Sequence, residues 1–413
     1  MNGPDLIARL QANDATLIRL DITAPLLQSL SYSQIQTFLA TFPCVPSIRS
    51  VHLSGLDLDT VLSATQIQEL LLGIASMQHM QDLCIFRGGS TTLNEEAVAQ
   101  LLQHNNDGQL TTLLLFQFAS LHECPNLAGA LRQHASLQRV TLTLPTLLPY
   151  AALDLYTMCF AVMPRLQVLQ IRCPGGTTQE EPLVSPEGFR VLISSPTITS
   201  LYLENCGLLD DHMDVLEEEL KHNNRTLQLL DLKDNTQLSD DVLYSMGRVL
   251  PHNNTLVSLD LSGVYISPGG GQALAKGMAQ NTTLTHLELE GTEERYRNEF
   301  NIQLQHDQEE WMKQIYYYLR LNRARAAVDE NEKQSINKRA WVEQLNRVSD
   351  HLDCLYYFIR QESRFVQGFE SSSDPSYLNY YLDHCQSVKD DEHRQRQLEA
   401  NPGAQMIMQY LGQ

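Results

Sequence analysis

Four groups of residues in this sequence are of types that could do chemistry. Asp210-Asp211 with His212, and Asp240-Asp241, offer clustered carboxylates of the kind that hold divalent cations. His104, His222 and His252 each precede Asn-Asn, and three imidazoles at the same phase of a repeat could form a metal ladder. Pro268-Gly269-Gly270-Gly271 runs into a helical pattern as phosphate-cradling loops do, but it lacks the Gly-Lys-Ser/Thr ending that grips the phosphates. Eight cysteines complete the set: Cys44, Cys84, Cys124, Cys159, Cys173, Cys206, Cys354 and Cys385.

Each group has a plainer explanation in its spacing. The aspartate pairs recur at equal phase before helical runs, where carboxylates cap free N–H groups and oppose the helix dipole. The three histidines stand on separate turns, His222 and His252 one period apart and His104 about four periods earlier. Asn after each reads as a helix stop, because Asn tolerates the left-handed conformation that ends helices. The triple glycine falls where a strand-to-helix turn is due. No two cysteines form a C-x-x-C pair, so neither a zinc site nor a disulfide framework is indicated, and a reducing compartment fits. No H-E-x-x-H or G-x-S-x-G is present. The expectation is no catalytic residue, no cofactor and no metal, hence no enzyme.

The elements that position these residues follow from a repeat. The frame Leu-x-x-Leu-x-Leu-x-x-(Asn/Cys) is filled by Ile198, Leu201, Leu203 and Cys206, then by Leu227, Leu230, Leu232 and Asn235. Leu256, Leu259 and Leu261, then Leu284, Leu287 and Leu289, continue it at steps of 28 or 29 residues. Weaker copies begin at Leu17, Ile48, Met80, Leu110, Leu137 and Leu166. A period of about 30 with one strand and one helix per turn is the mark of a leucine-rich repeat. A single unit cannot bury its own apolar face, so about ten must stack into an α/β solenoid.

This places a leucine-rich-repeat domain over 1–291, a helical C-terminal cap over 292–365 and a largely disordered tail over 366–413. Residues 5–14 (DLIARLQAND) read as a short amphipathic helix closing the N-terminal end. After Gly291 a long helix is predicted from Glu293 to Asn322, with Trp311, Ile315, Tyr318 and Leu319 on one stripe. The charged DENEKQSINK then reads as a linker. A second helix carries Trp341, Leu345, Val348, Leu352, Leu355 and Ile359. Two stretches, 143–165 and 173–190, depart from the template and read as tolerated insertions or functional loops.

The net charge of −20 opposes non-specific nucleic-acid binding and an anionic membrane surface, and permits a basic protein partner. No run of apolar residues is long enough to span a bilayer, and MNGPDLIARL has neither a signal-peptide core nor a glycine for myristoylation. Cytoplasm or nucleus is the expected location, and a monomer the expected state. Asn224, Asn253 and Asn281 match glycosylation sequons, but the repeat grammar itself generates all three.

Strand alternation turns the leucines inward and the intervening residues onto a concave surface. From that geometry a partner-binding face is expected with two parts. Phe86, Leu114 and Phe116 form an apolar middle; Tyr202, Glu204, Asp231, Lys233, Asp260, Glu288 and Glu290 form an acidic ladder with an aromatic anchor. The competing reading is that concave positions are simply solvated.

Frames of the type N-x-T-L-x-x-L-x-L, as in Asn254 to Leu261 and Thr282 to Leu289, resemble the ribonuclease-inhibitor-like leucine-rich repeats. That resemblance implies a right-handed horseshoe with strands on its concave face. Tyr316 to Ala324 and Ala340 to Gln361 are similar to the cap of a group of repeat proteins from diatoms and related algae, in which the first segment usually continues Gly-Arg where Arg325-Ala326 stands here. Neither resemblance brings catalytic residues. The function expected is a non-catalytic interaction scaffold. The alternatives are regulation of a small GTPase, for which Arg87-Gly88-Gly89 is the candidate cluster, and inhibition of a basic enzyme by the acidic ladder.

Overall fold

The computed structural model describes residues 3–106, 108–118, 120–145, 148–173, 181–289 and 304–332. The chain divides into two compact units, Met1–Trp311 and Met312–Gln413. In the first, ten strands form one parallel sheet in strict chain order: β1 (Arg19–Ile22), β2 (Ser50–Ser54), β3 (Asp82–Phe86), β4 (Thr112–Phe116), β5 (Arg139–Thr143), β6 (Val168–Arg172), β7 (Ser200–Glu204), β8 (Leu229–Asp231), β9 (Ser258–Asp260) and β10 (His286–Glu288). Each strand starts two residues after a frame start read from the sequence, in the weak N-terminal copies as in the strong ones. The sheet is open, and helices cross between its strands, which makes the unit an α/β leucine-rich-repeat solenoid.

The crossover helices are, in order, α2 (Ala24–Gln28) with α3 (Tyr32–Thr41), α4 (Leu58–Val61) with α5 (Ala64–Ser76), α6 (Glu95–His104), α7 (Pro125–Gln133), α8 (Asp154–Phe160), α9 (Pro186–Ile193), α10 (Asp210–Glu218), α11 (Asp241–Val249) and α12 (Pro268–Met278). Parallel strands stack about 4.8 Å apart whereas packed helices need 8–10 Å, so the strand side is the inside of the curve. An N-terminal helix, α1 (Gly3–Gln11), buries Leu6, Ile7 and Leu10 and packs on α3, as its amphipathic pattern predicts. In the frames, the aliphatic residues at the fourth and sixth positions of β2 to β7 are buried to the last few percent, and the residues between them are half-exposed except on β5.

Asparagine holds the stack together differently from the sequence expectation. Asn105, Asn224, Asn253 and Asn281 are buried, and none takes the left-handed conformation. Each side chain bridges repeats instead. Asn253 Nδ2 donates to Leu220 O (3.0 Å), and its Oδ1 accepts from Thr255 N (3.1 Å) and Leu256 N (2.9 Å). Asn281 repeats this with Leu250 O, Thr283 N and Leu284 N, and Asn224 with Ile193 O, Thr226 N and Leu227 N. Burial also removes these three sequons from any glycosylating enzyme in the folded chain. Left-handed residues do recur after the strands: Gln117, Asn205, Asp234 and Gly263, each seven residues after its frame start. Just beyond, Asn235 spans two repeats with bonds to Leu203 O (2.7 Å) and from Cys206 N (2.9 Å).

Other sequence expectations shift in detail. Pro268-Gly269-Gly270-Gly271 is not a turn but the first turn of α12, with Ser267 capping it through Gly270 N. The glycines there and beyond serve close packing: a Cβ on Gly270 would meet Leu243, and one on Gly277 would lie 2.5 Å from Gly247 O. In the described part of the C-terminal region, one helix, α13 (Leu304–Glu332), runs past Asn322 and takes in Asp329–Glu332 of the segment read as a linker. Its alanines and arginines are strong helix formers, so charge alone does not end it. Trp311, Ile315 and Leu319 are buried along one stripe, while Tyr318 is only half-buried. Residues 293–303, the second predicted helix with Trp341 to Ile359, and the expected tail lie outside the described residues.

Candidate partner-binding face

The register of the sheet lines the central inner-face residues into one row. Asp21, His52, Cys84, Leu114, Thr141, Gln170, Tyr202, Asp231, Asp260 and Glu288 are partners on successive strands. A second row, two residues on, joins Ser54, Phe86, Phe116, Thr143, Arg172 and Glu204. Lys233 lies beyond the end of the short β8, and Glu290 lies outside the described residues. The structure therefore brings Tyr202, Asp231, Asp260 and Glu288 together, and pairs Phe86 with Phe116, as the alternation rule requires.

The rows are not uniformly open. Thr141 and Thr143 are buried, against the expectation that inner-face positions are exposed. Both are small side chains on β5 flanked by longer ones: Thr141 lies between Leu114 and Gln170 and donates to Gln170 Oε1 (3.4 Å), and Thr143 lies between Phe116 and Arg172. Phe86, Leu114 and Phe116 are half-buried, so the apolar middle is a shallow surface with none of the three fully exposed.

Charge is distributed unevenly along the face. At its N-terminal end Arg19 pairs with Asp21 (2.8 Å) and approaches His52 Nδ1 (3.2 Å). At mid-face Arg172 pairs with Glu204 (3.3 Å). No such partner neutralises Asp231, Asp260 or Glu288 among the described residues. Asp231 Oδ1 accepts from Lys233 N (2.9 Å), and Asp260 Oδ1 from Ser262 N (2.8 Å). Burial pushes the Asp231 carboxyl up to about 6, assisted by the charges of Asp260 and Glu204 and opposed by the Lys233 amide and ammonium.

His212, Asp210, Asp240 and Arg87 are each engaged within the repeat stack. His212 is buried, with Nε2 2.9 Å from Val184 O and its ring edge-on to Phe189. Asp210 lies in the first turn of α10 but accepts from Ser239 N of the next repeat (3.0 Å), and Asp240 is hydrogen-bonded to Ser267 Oγ, again one repeat on. These aspartates thus brace the following helix start; they do not cap their own. Arg87 pairs with Glu95 (3.2 Å) and donates to Ser90 O, while Gly88 and Gly89 have φ of +58° and +89° and make a tight turn. Among the described residues no three His, Cys, Asp or Glu side chains could hold a metal ion, and no helix is long and apolar enough to cross a membrane. The six described cysteines carry free thiols; burial pushes that of Cys173 up to about 11 and also holds that of Cys206 well above the ordinary thiol range.

Sequence reasoning missed one surface. Tyr150, Leu155, Met158 and Val162 are each about half exposed, the last three on the outer side of α8 and the turn after it. Their signal was present in the i, i+3, i+7 spacing, but the same stretch holds the buried Tyr156 and Phe160, and the apolar excess reads as core.

No family model matches the chain, and no curated protein sequence matches it. Among solved structures, the leucine-rich repeat-containing protein LegL7 from Legionella pneumophila is similar at 14% identity and a TM-score of 0.44, over 75% of this chain and 93% of that one. Rad7 from yeast, solved with Elc1, is similar at 17% identity and a TM-score of 0.38, over 68% and 72%. A protein from Bacteroides fragilis follows at 15% identity and 0.32, over 66% and 71%.

Proposed function

We propose that this chain is a non-catalytic protein-binding scaffold that receives a basic protein surface on the C-terminal half of its inner face. The observation that carries the reading is the row Tyr202, Asp231, Asp260, Glu288. Three carboxylates stand on adjacent strands with no cation paired to them among the described residues, beside one aromatic anchor. Like charges aligned at strand spacing repel, and a cationic surface relieves that repulsion while the aromatic supplies contact area. Phe86, Leu114 and Phe116 extend the surface with apolar contact. Glu204, held by Arg172, and Lys233 border it and set register.

Repeats of about 29 residues with a helix in every turn suit the ribonuclease-inhibitor-like subclass. The likeness of the C-terminal segments to the algal cap rests on their residues alone, and a capping role for α13 is part of the same reading. Free thiols in six of the ten repeats suit a reducing compartment such as cytoplasm or nucleus. Inhibition of a basic enzyme would use the same carboxylates. Regulation of a small GTPase is the weaker alternative, since the Arg87 guanidinium it would need is engaged by Glu95.

The test is a pull-down from native lysate with wild type and with a variant carrying Asp231→Asn, Asp260→Asn, Glu288→Gln and Glu290→Gln. A defined set of partners lost with the variant, and released from wild type by salt, supports the reading. An unchanged partner set overturns it.

A further inference from the structure

The sheet has an unpaired N-terminal edge. Among the described residues β1 pairs only with β2, and Ser50 N donates to Ile18 O across that ladder. Residues of a strand alternate the direction of their peptide groups, so Ile18, Leu20 and Ile22 face β2, while the N–H and C=O of Arg19 and Asp21 point away from it. Among the described residues no hydrogen bond reaches those four backbone groups. The helix α1 closes the other side: it packs on α3, and Gly3 N donates to Ser29 Oγ (3.2 Å), so it covers the core end and leaves the strand edge open. Next to that edge Ile18 is 57% exposed.

We infer that β1 is a self-association edge, on which a second copy of this chain adds its own β1 antiparallel about a two-fold axis through Leu20. The occupant follows from charge. In that register Arg19 of one copy stands opposite Asp21 of the other, and Asp21 opposite Arg19. These are also the hydrogen-bonded pairs of the ladder, because their peptide groups face outward. Four backbone bonds and two opposite-charge cross-strand pairs form at once. Arg19 and Asp21, which pair with each other at 2.8 Å in the single chain, exchange partners without losing them. Ile18 falls opposite Ile22 of the second copy and loses exposure to water. Sliding the register by two residues puts Arg19 against Arg19 or Asp21 against Asp21, which repel. One register survives, and it closes a dimer instead of propagating a fibre.

Short charged edge strands normally discourage pairing; here the alternation of sign makes the edge complementary to itself alone. With four residues a side the contact is smaller than a standard interface, so the dimer is weak and reversible. The inference departs from the monomer expected from the sequence, and it is independent of the acidic ladder at the opposite end of the sheet.

The experiment is sedimentation equilibrium of the full chain over a range of concentrations at physiological salt, where the net charge of −20 is screened within about 8 Å. Wild type is expected to show a monomer–dimer equilibrium. Arg19→Asp and Asp21→Arg, each placing like charges across the edge, are expected to be monomeric. The double exchange Arg19→Asp/Asp21→Arg is expected to restore the dimer. Both side chains are more than half exposed, so circular dichroism should match wild type in all four proteins. A wild type that stays monomeric, a dimer indifferent to the single reversals, or a double exchange that fails to restore association overturns the inference.

Discussion

Asp231 concentrates the electrostatics of this molecule in one side chain. Burial lifts its folded pKa to about 6, above the ordinary 3.8, so between those values the folded chain binds more protons than the unfolded one. Stability contributed by this group is therefore greatest below pH 4 and declines as pH rises to 6, after which it is flat. Asp231→Asn removes the charge without changing shape. It should raise the melting temperature at pH 7.5, and the difference should shrink toward pH 4.5. The effect should be about 1 kcal/mol at most, because the carboxylate is partly exposed and screened. Thermal denaturation at the two pH values checks this, and equal effects at both would refute it. The same reasoning makes Asp231 the residue of the inner face with most to gain from a cationic partner.

At the scale of elements, the close approach of α11 and α12 is set by absent side chains. Gly247 and Gly277 face each other so tightly that a Cβ on Gly277 meets Gly247 O at 2.5 Å and Gly247 Cα at 2.8 Å. In an isolated helix Gly277→Ala would help by about 1 kcal/mol. Here the helices must separate, and overpacking costs about 1–3 kcal/mol. The variant is expected to be less stable in urea denaturation despite its better helix propensity; a more stable variant would show that the helices part freely. The glycines were visible in the sequence, but their reason was not, since GGGQALAKGM reads equally as a loop entering a helix.

The whole first unit is a one-dimensional stack whose repeats touch only their neighbours, so its cohesion resides in the bonds between rungs. Asn253 is such a bond, reaching back to Leu220 O and, through its own carbonyl, accepting from Asn281 Nδ2 (3.0 Å). Asn253→Ala strands Leu220 O, Thr255 N and Leu256 N in a buried place, at a cost of about 1–3 kcal/mol. Nearest-neighbour coupling predicts that the loss is felt locally. Amide exchange should accelerate in β9, α12 and β10 well before it does in β1 to β6. Uniform acceleration across the sheet would mean that the unit behaves as one globular core.

The period of the leucines by itself determined the strand count, the parallel order and even the register. A frame that repeats at constant phase leaves each strand one way to pair while keeping its leucines buried. Which residues share the inner face followed too, because strand alternation is a local rule. Asn105, Asn224, Asn253 and Asn281 show where local rules stop. Their helix-ending position was legible, but their Nδ2 groups donate to carbonyls 28 to 33 positions away, and only the stacked repeats bring those carbonyls within reach. The same holds for Thr141 and Thr143, whose burial depends on the size of neighbours on β4 and β6. It holds for Arg87, claimed by Glu95, and for the edge of β1, whose freedom depends on where α1 packs. Periodicity is written along the chain; the company each side chain keeps is decided across it.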